Sequence, residues 1–254
     1  MRTAQDFCSD WSRIDAIDGW LRVESAALMD FFLAGQDNTR LPGSGLLEIG
    51  VWKGRSAALM ARHLRSGEDM WLLDSWPQHE DVRKSLASML GERIQEHSIT
   101  LFSGTAREAA LAIPQARRYR YIHVDGEHTA AGLRADLVLA RRLMEHTGLI
   151  VIDDIFNGLY PQLARAMFAF LDNEGRDLAC ALLGFNKACL CHTQMLDIYG
   201  DLIFDSVNAE MAARGVPVTL CRTTDRVEWP GYAVVHYMGM PKRGPDSNDT
   251  VVRR

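Results

Sequence analysis

The chain alternates between short apolar runs and longer amphipathic stretches. Five runs stand out, at 46–51, 70–74, 98–103, 119–125 and 148–153. They carry few polar residues, which is the pattern of strands covered on both faces. Between them lie segments with apolar residues at helical spacing, at 55–65, 79–96, 106–112 and 129–146, with another at 159–172. This alternation predicts a parallel, doubly wound α/β sheet. The stretch "DLACALLGFNKACLCH" is different: two apolar runs flank Gly184-Phe185-Asn186, which predicts an antiparallel hairpin over 177–192. A helix near 194–214 and short strands near 217–222 and 232–237 follow. Ahead of the first strand, apolar residues from Trp20 to Leu33 recur at helical spacing, and "RLPGSG" breaks the chain.

Four segments are expected: a helical lead-in or lid at 1–42, a core at 43–192, an extension at 193–238 and a polar, frayed tail at 239–254. A length of 254 residues fits one α/β domain with such decorations. The net charge of -5 speaks against nucleic acid or an anionic membrane as partner. No run approaches the length of a membrane span, and the first twenty residues lack the apolar core of a signal peptide. The five cysteines (8, 180, 189, 191, 221) are odd in number and have no metal-like spacing. They read as free thiols, with Cys189 and Cys191 on one face of a buried strand, and a reduced, cytoplasmic protein is expected.

Chemistry concentrates where the strands run out. Asp125 closes "YRYIHVDGEH", and Asp153 and Asp154 close "TGLIVIDDIF". Ligands of open α/β sheets sit beyond the carboxyl ends of the strands. If the two strands are neighbours, three carboxylates converge within about 5 Å, one strand spacing. Such a group is protonated, paired with Arg or Lys, or wrapped around a cation. An all-oxygen set suits a hard ion such as Mg²⁺. Taken singly, each aspartate is also an ordinary turn or cap residue.

The segment "LLEIGVWKGRSAALMARHL" reads as strand, glycine turn, helix. Gly50 and Gly54 let the backbone bend sharply beside a ligand, and helix 55–65 enters amino end first. The spacing is not the six-residue glycine pattern of dinucleotide folds. Glu48 is unusual inside an apolar strand and requires a donor, from a ligand ammonium or a protein Arg. Asp74 ends the second run, where an acid can accept from ribose hydroxyls or cap a turn with Ser75. Ser103, Gly104 and Thr105 either edge a flat base or cap helix 106–112. His123, within an apolar strand, reads as a hydrogen-bonded core residue.

Together, Glu48 to Gly50 with Gly54, Asp74, "HVDGEH" at 123–128 and "IDDIF" at 152–156 resemble a class I S-adenosylmethionine-dependent methyltransferase. More narrowly, they are similar to the metal-dependent sugar O-methyltransferases of the macrocin and mycinamicin type, over about residues 19 to 192. The resemblance implies a mostly parallel seven-stranded sheet ending in an antiparallel hairpin. It implies S-adenosylmethionine bordered by Glu48, Gly50, Gly54, Ser56, Asp74, Ser75, Gly104 and Asp125. It implies Mg²⁺ or another divalent cation on Asp125, Asp153 and Asp154, with His128 as general base. Glu127 departs from the Asp that family members often carry there. Catechol-type O-methyltransferases share the aspartate spacing but usually place Lys at position 128 and Asn at 154.

The expected reaction is methyl transfer to a hydroxyl of a vicinal diol, on a deoxysugar of a glycosylated natural product, by a homo-oligomer. A catechol-like phenol as acceptor and a binding-only accessory protein are the rival readings. A metal-dependent hydrolase would leave Glu48, the glycine turn and Asp74 without a task. The lead-in helix and the segment 194–238 are the candidates for the acceptor pocket and for subunit contacts.

Overall fold

The computed structural model describes residues 2–38, 45–76, 78–223 and 231–236. The five apolar runs form strands β1 (Gly45–Ile49), β2 (Asp69–Asp74), β3 (Ser98–Ser103), β4 (Tyr119–Val124) and β5 (Met144–Ile152). The hairpin supplies β6 (Leu178–Gly184) and β7 (Lys187–His192), and the last two strands are β8 (Val218–Arg222) and β9 (Tyr232–His236). All nine share one sheet, in the order β3-β2-β1-β4-β5-β7-β6-β9-β8. The first five strands pair in parallel, and β7 enters antiparallel to β5. The expected seven strands and terminal hairpin are therefore present. Strands β8 and β9 extend the same sheet through β6.

Helices cover both faces. On one lie α1 (Ala4–Asp15), α2 (Val23–Asn38), α3 (Arg55–Ala61), α4 (His79–Leu90) and α8 (Leu196–Ala213). On the other lie α5 (Ala106–Ala112), α6 (Ala130–Leu143) and α7 (Pro161–Asp172). Strand β1 shows why: Leu46 packs into one core and Leu47 into the other, as period-two alternation requires. No helix among the described residues is long and apolar enough to cross a membrane. No disulfide forms among the described residues, and Cys189 and Cys191 are buried, as expected.

Several boundaries move for local reasons. The lead-in holds two helices, and α1 begins at a capping box in which Thr3 and Asp6 satisfy each other's backbone donors. Helix α3 stops at Ala61 rather than 65, because Arg62 and His63 turn inward to the buried Asp30. The segment 79–96 breaks at Gly91, whose φ of 57° ends α4 before a 3₁₀ turn at Gly91–Glu96. Strand β5 begins at Met144 rather than 148, so α6 is shorter than the spacing predicts. The expected tail at 239–254 lies outside the described residues.

Asp30 is the hub of the α2, α3 and α8 packing. Its carboxylate meets Arg62 at 3.0 Å, His63 at 2.7 Å and Arg214 at 2.9 Å. Burial pushes its pKa up, and the charges and hydrogen bond of His63, Arg214 and Arg62 outweigh it, holding it at about 2.

Candidate active site

The carboxyl ends of β1, β2, β4 and β5 open into a cavity of about 1190 Å³. The turn after β1 forms one wall. Gly50 has φ 85°, and a Cβ there would collide with the Asp125 carbonyl, so only glycine allows the two strand ends to approach. The approach is secured by Asp125 N–H donating to the Ile49 carbonyl at 2.7 Å. Asp74 holds the turn itself. Its Oδ2 accepts from Val51 N at 2.8 Å and Trp52 N at 2.7 Å, and its Oδ1 from Trp76 N at 2.6 Å. A carboxylate has about four lone-pair sites, so three backbone bonds leave room for one more donor.

Of the residues singled out in the sequence, Gly50, Ser56, Asp74, Ser75, Gly104, Asp125 and His128 line the cavity. Glu48 and Gly54 do not. Glu48 is fully buried behind the wall, and the donor it requires is His123, with Nδ1 2.8 Å from Oε1. Register explains the pairing, since Glu48 lies opposite His123 on the neighbouring strand. His123 is thus the hydrogen-bonded core residue expected, although it also borders the cavity. Gly54, with φ 87°, instead caps α3 and packs on Val82 of α4.

The aspartates do converge, but not as a triad. Among the described residues, the group that could hold a metal ion is Asp125, His128 and Asp154, with one donor atom of each within 4.8 Å of the others. His128 Nε2 lies 2.8 Å from Asp154 Oδ2 and 3.8 Å from Asp125 Oδ1. Asp154 has φ 57°, a left-handed backbone uncommon outside glycine. Its Oδ1 accepts from Asn157 Nδ2 at 3.1 Å and from Asn186 Nδ2. Asp153 lines the cavity too, yet its Oδ2 is ion-paired with the buried ammonium of Lys187. For Asp153, Lys187 supplies the pairing with a base that the sequence left open beside a cation or protonation. Glu127 is exposed on the rim and outside the cluster.

The charges perturb one another. Burial, then the neighbouring charge of Asp153, pushes the Asp125 carboxyl well up, with Asp154 and Glu48 adding to it and Lys187 opposing. The hydrogen bond to Asp154 raises His128, against burial, and the same bond lowers Asp154. The His128 ring packs at a tilt of 34° against Tyr160 with centroids 4.3 Å apart, and its carbonyl accepts from Gln162 at 2.7 Å. A cation fits this donor set: two carboxylates partly open to the cavity, with one donor atom of each and of His128 within 4.8 Å of the others.

The lead-in crosses the mouth. Arg55, at the start of α3, donates to the carbonyls of Asp15 at 2.7 Å and Leu21 at 3.2 Å. This clamp sets Trp20, Glu24 and Ser25 against the cavity. Asn157, Tyr160, Phe185 and Asn186 also line the cavity, Ser25 Oγ donating to the Phe185 carbonyl at 2.9 Å, and His236 is the described contribution of the C-terminal extension. Of these, the hairpin residues were read only as a turn. A lysine opening an apolar strand was the missed signal, and it pointed to a buried acid.

Residues 47–155 match a family model described as a methyltransferase domain, somewhat under half of the chain. No curated protein matches the sequence. The structure resembles the SAH-bound Podospora anserina methyltransferase PaMTH1, with TM-score 0.52 and 16% identity, covering 76% of this chain and 89% of that one. It resembles cofactor-bound Rv0187 from MTB, with TM-score 0.52 and 17% identity over 68% and 79% of the two chains. CalS11, a calicheamicin methyltransferase, gives TM-score 0.51 and 16% identity over 74% and 90%. At such identities the likeness is one of fold, and it agrees with the Rossmann-like architecture expected. The match of residues 47–155 to a methyltransferase domain agrees with the enzyme class expected from the sequence, an S-adenosylmethionine-dependent methyltransferase.

Proposed function

We propose that this protein transfers the methyl group of S-adenosylmethionine to a hydroxyl of a vicinal diol on a glycosylated small molecule. The observation that carries the reading is continuity. One cavity joins the glycine turn and Asp74 to the Asp125–His128–Asp154 cluster. Its volume, about 1190 Å³, exceeds the usual range for a single ligand, so cofactor and acceptor fit together.

In this reading Gly50 and Ser56 border the methionine part of the cofactor, and the free acceptor site of Asp74 takes a ribose hydroxyl. Gly104 and Ser75 edge the base. Asp125 and Asp154 hold a divalent cation, Mg²⁺ being the expected one. A divalent cation held there would lower the pKa of the acceptor hydroxyl. His128 Nε2 accepts the hydroxyl proton as the oxygen bonds to the methyl carbon and the carbon–sulfur bond breaks. S-adenosylhomocysteine leaves. Trp20 and the loop at 157–160 enclose the acceptor, and alignment of oxygen, methyl and sulfur supplies much of the acceleration.

The test is calorimetric titration with S-adenosylmethionine and S-adenosylhomocysteine, with Mg²⁺ and then EDTA, followed by methyl transfer to glycosylated acceptors with catechols as the comparison. Micromolar cofactor binding and turnover lost in EDTA is the expected result. No cofactor binding in either condition refutes the reading. Turnover on catechols alone moves the acceptor to the phenol class.

A further inference from the structure

Lys187 opens β7, has no side-chain exposure and pairs with Asp153 Oδ2. Its Nζ also lies 3.5 Å from His123 Nε2. Through the contact of His123 with Glu48, a buried polar chain runs across β1, β4 and β7 beneath the cavity. The second oxygen of Asp153, Oδ1, accepts from Asp154 N–H at 2.8 Å. Asp153 Oδ2 is thus held by a full positive charge, whereas Asp154 is bonded by His128 and two neutral amides. The side chains of Asp125, Asp154 and Asp153 keep 34%, 22% and 17% exposure. Among the described residues Asp153 is the acid ion-paired with this buried ammonium, and stripping it away is costly, so the Lys187–Asp153 pair resists opening.

We infer that Lys187 is a built-in counter-cation that keeps Asp153 out of metal coordination, leaving Asp125 and Asp154 to hold the divalent cation. This inference rests on the cation site of the proposed function. Three ionised aspartates with one ammonium carry a net charge of two, which a single divalent ion neutralises. A cation held by two carboxylates keeps several positions open, which is what binding two neighbouring hydroxyl oxygens requires. Lys187 touches neither acceptor nor cofactor in this arrangement, and it acts as a positioning residue through Asp153.

The experiment is Mn²⁺ titration of the full chain, read by the electron paramagnetic resonance signal of free Mn²⁺, with no acceptor present. The paired variant Asp153→Asn/Lys187→Met replaces the ion pair by a neutral pair, and its Mn²⁺ affinity is expected to change by less than about tenfold, below the usual range for lost metal partners. Asp154→Asn is expected to weaken Mn²⁺ by about 10–100-fold. Lys187→Met alone frees Asp153 and is expected to tighten Mn²⁺ by about tenfold. S-adenosylhomocysteine binding in EDTA checks that each variant folds. A paired variant as weak as Asp154→Asn makes Asp153 a ligand and overturns the inference. So does a folded Lys187→Met protein whose affinity is unchanged or weaker. Wild type without Mn²⁺ binding overturns it too, while cofactor binding in EDTA would leave the methyltransferase reading standing.

Discussion

Asp136 offers a quantitative test of how the cavity wall is built. It lies on α6 with 7% exposure, its Oδ2 against Gly126 at the end of β4. Burial, reinforced by the charge of Glu127, pushes its pKa from 3.8 up to about 7. The folded state therefore holds a proton that the unfolded chain releases, and stability falls as pH rises from about 4 to about 7. At about 1.4 kcal/mol per tenfold change in proton affinity, the penalty has a ceiling near ~4 kcal/mol. Relaxation and water in the cavity reduce this to about 2 kcal/mol. Asp136→Asn removes the penalty without changing shape. For a chain of this size, about 2 kcal/mol raises Tm by about 4–8 °C above pH 8. The assay is thermal unfolding of both proteins from pH 4.5 to 8.5, without ligands. The gap is expected to widen with pH up to about 7 and then level off. A gap independent of pH, or a wild type more stable at pH 8.5, refutes the reasoning.

Three further outcomes are expected. His128→Ala keeps cofactor and cation binding but slows the chemical step by about 10²–10⁴-fold in single-turnover experiments, and a wild-type rate would remove its role as base. Gly50→Ala puts a side chain at φ 85° and into the Asp125 carbonyl, so urea unfolding should show a loss of about 2–4 kcal/mol. An unchanged midpoint would mean the turn relaxes freely. Asp30→Ala leaves Arg62 and Arg214 buried without their shared acid and should cost about 3–5 kcal/mol in denaturant titration. A loss under about 1 kcal/mol would show that water replaces the carboxylate.

Much of this architecture was legible before any coordinates. The strands β1, β4 and β5 announce themselves because their central runs are buried on both faces and carry few polar residues. Asp74, Asp125, Asp153 and Asp154 were placed at strand ends because a polar residue closing such a run has few other positions. Gly50 was legible as a turn, since the turn is local. The helical lead-in was legible too, but its first helix, α1, had no boundary of its own, although Thr3 and Asp6 carry its start signal. Its apolar face holds few residues, among them Phe7 and Ile14, too few for periodicity alone.

What the sequence by itself determined is the order of strands and helices and the identity of the acids at the strand ends, because these depend on residues adjacent along the chain. The partners of those acids were decided by the tertiary structure. Glu48 meets His123, 75 positions away, because β1 and β4 are neighbours in register. Asp153 meets Lys187 because the hairpin returns β7 alongside β5. Asp154 meets His128 because consecutive strands end at one edge of the sheet. A charge chooses its counter-charge by distance in space, and that distance is set only when the sheet assembles.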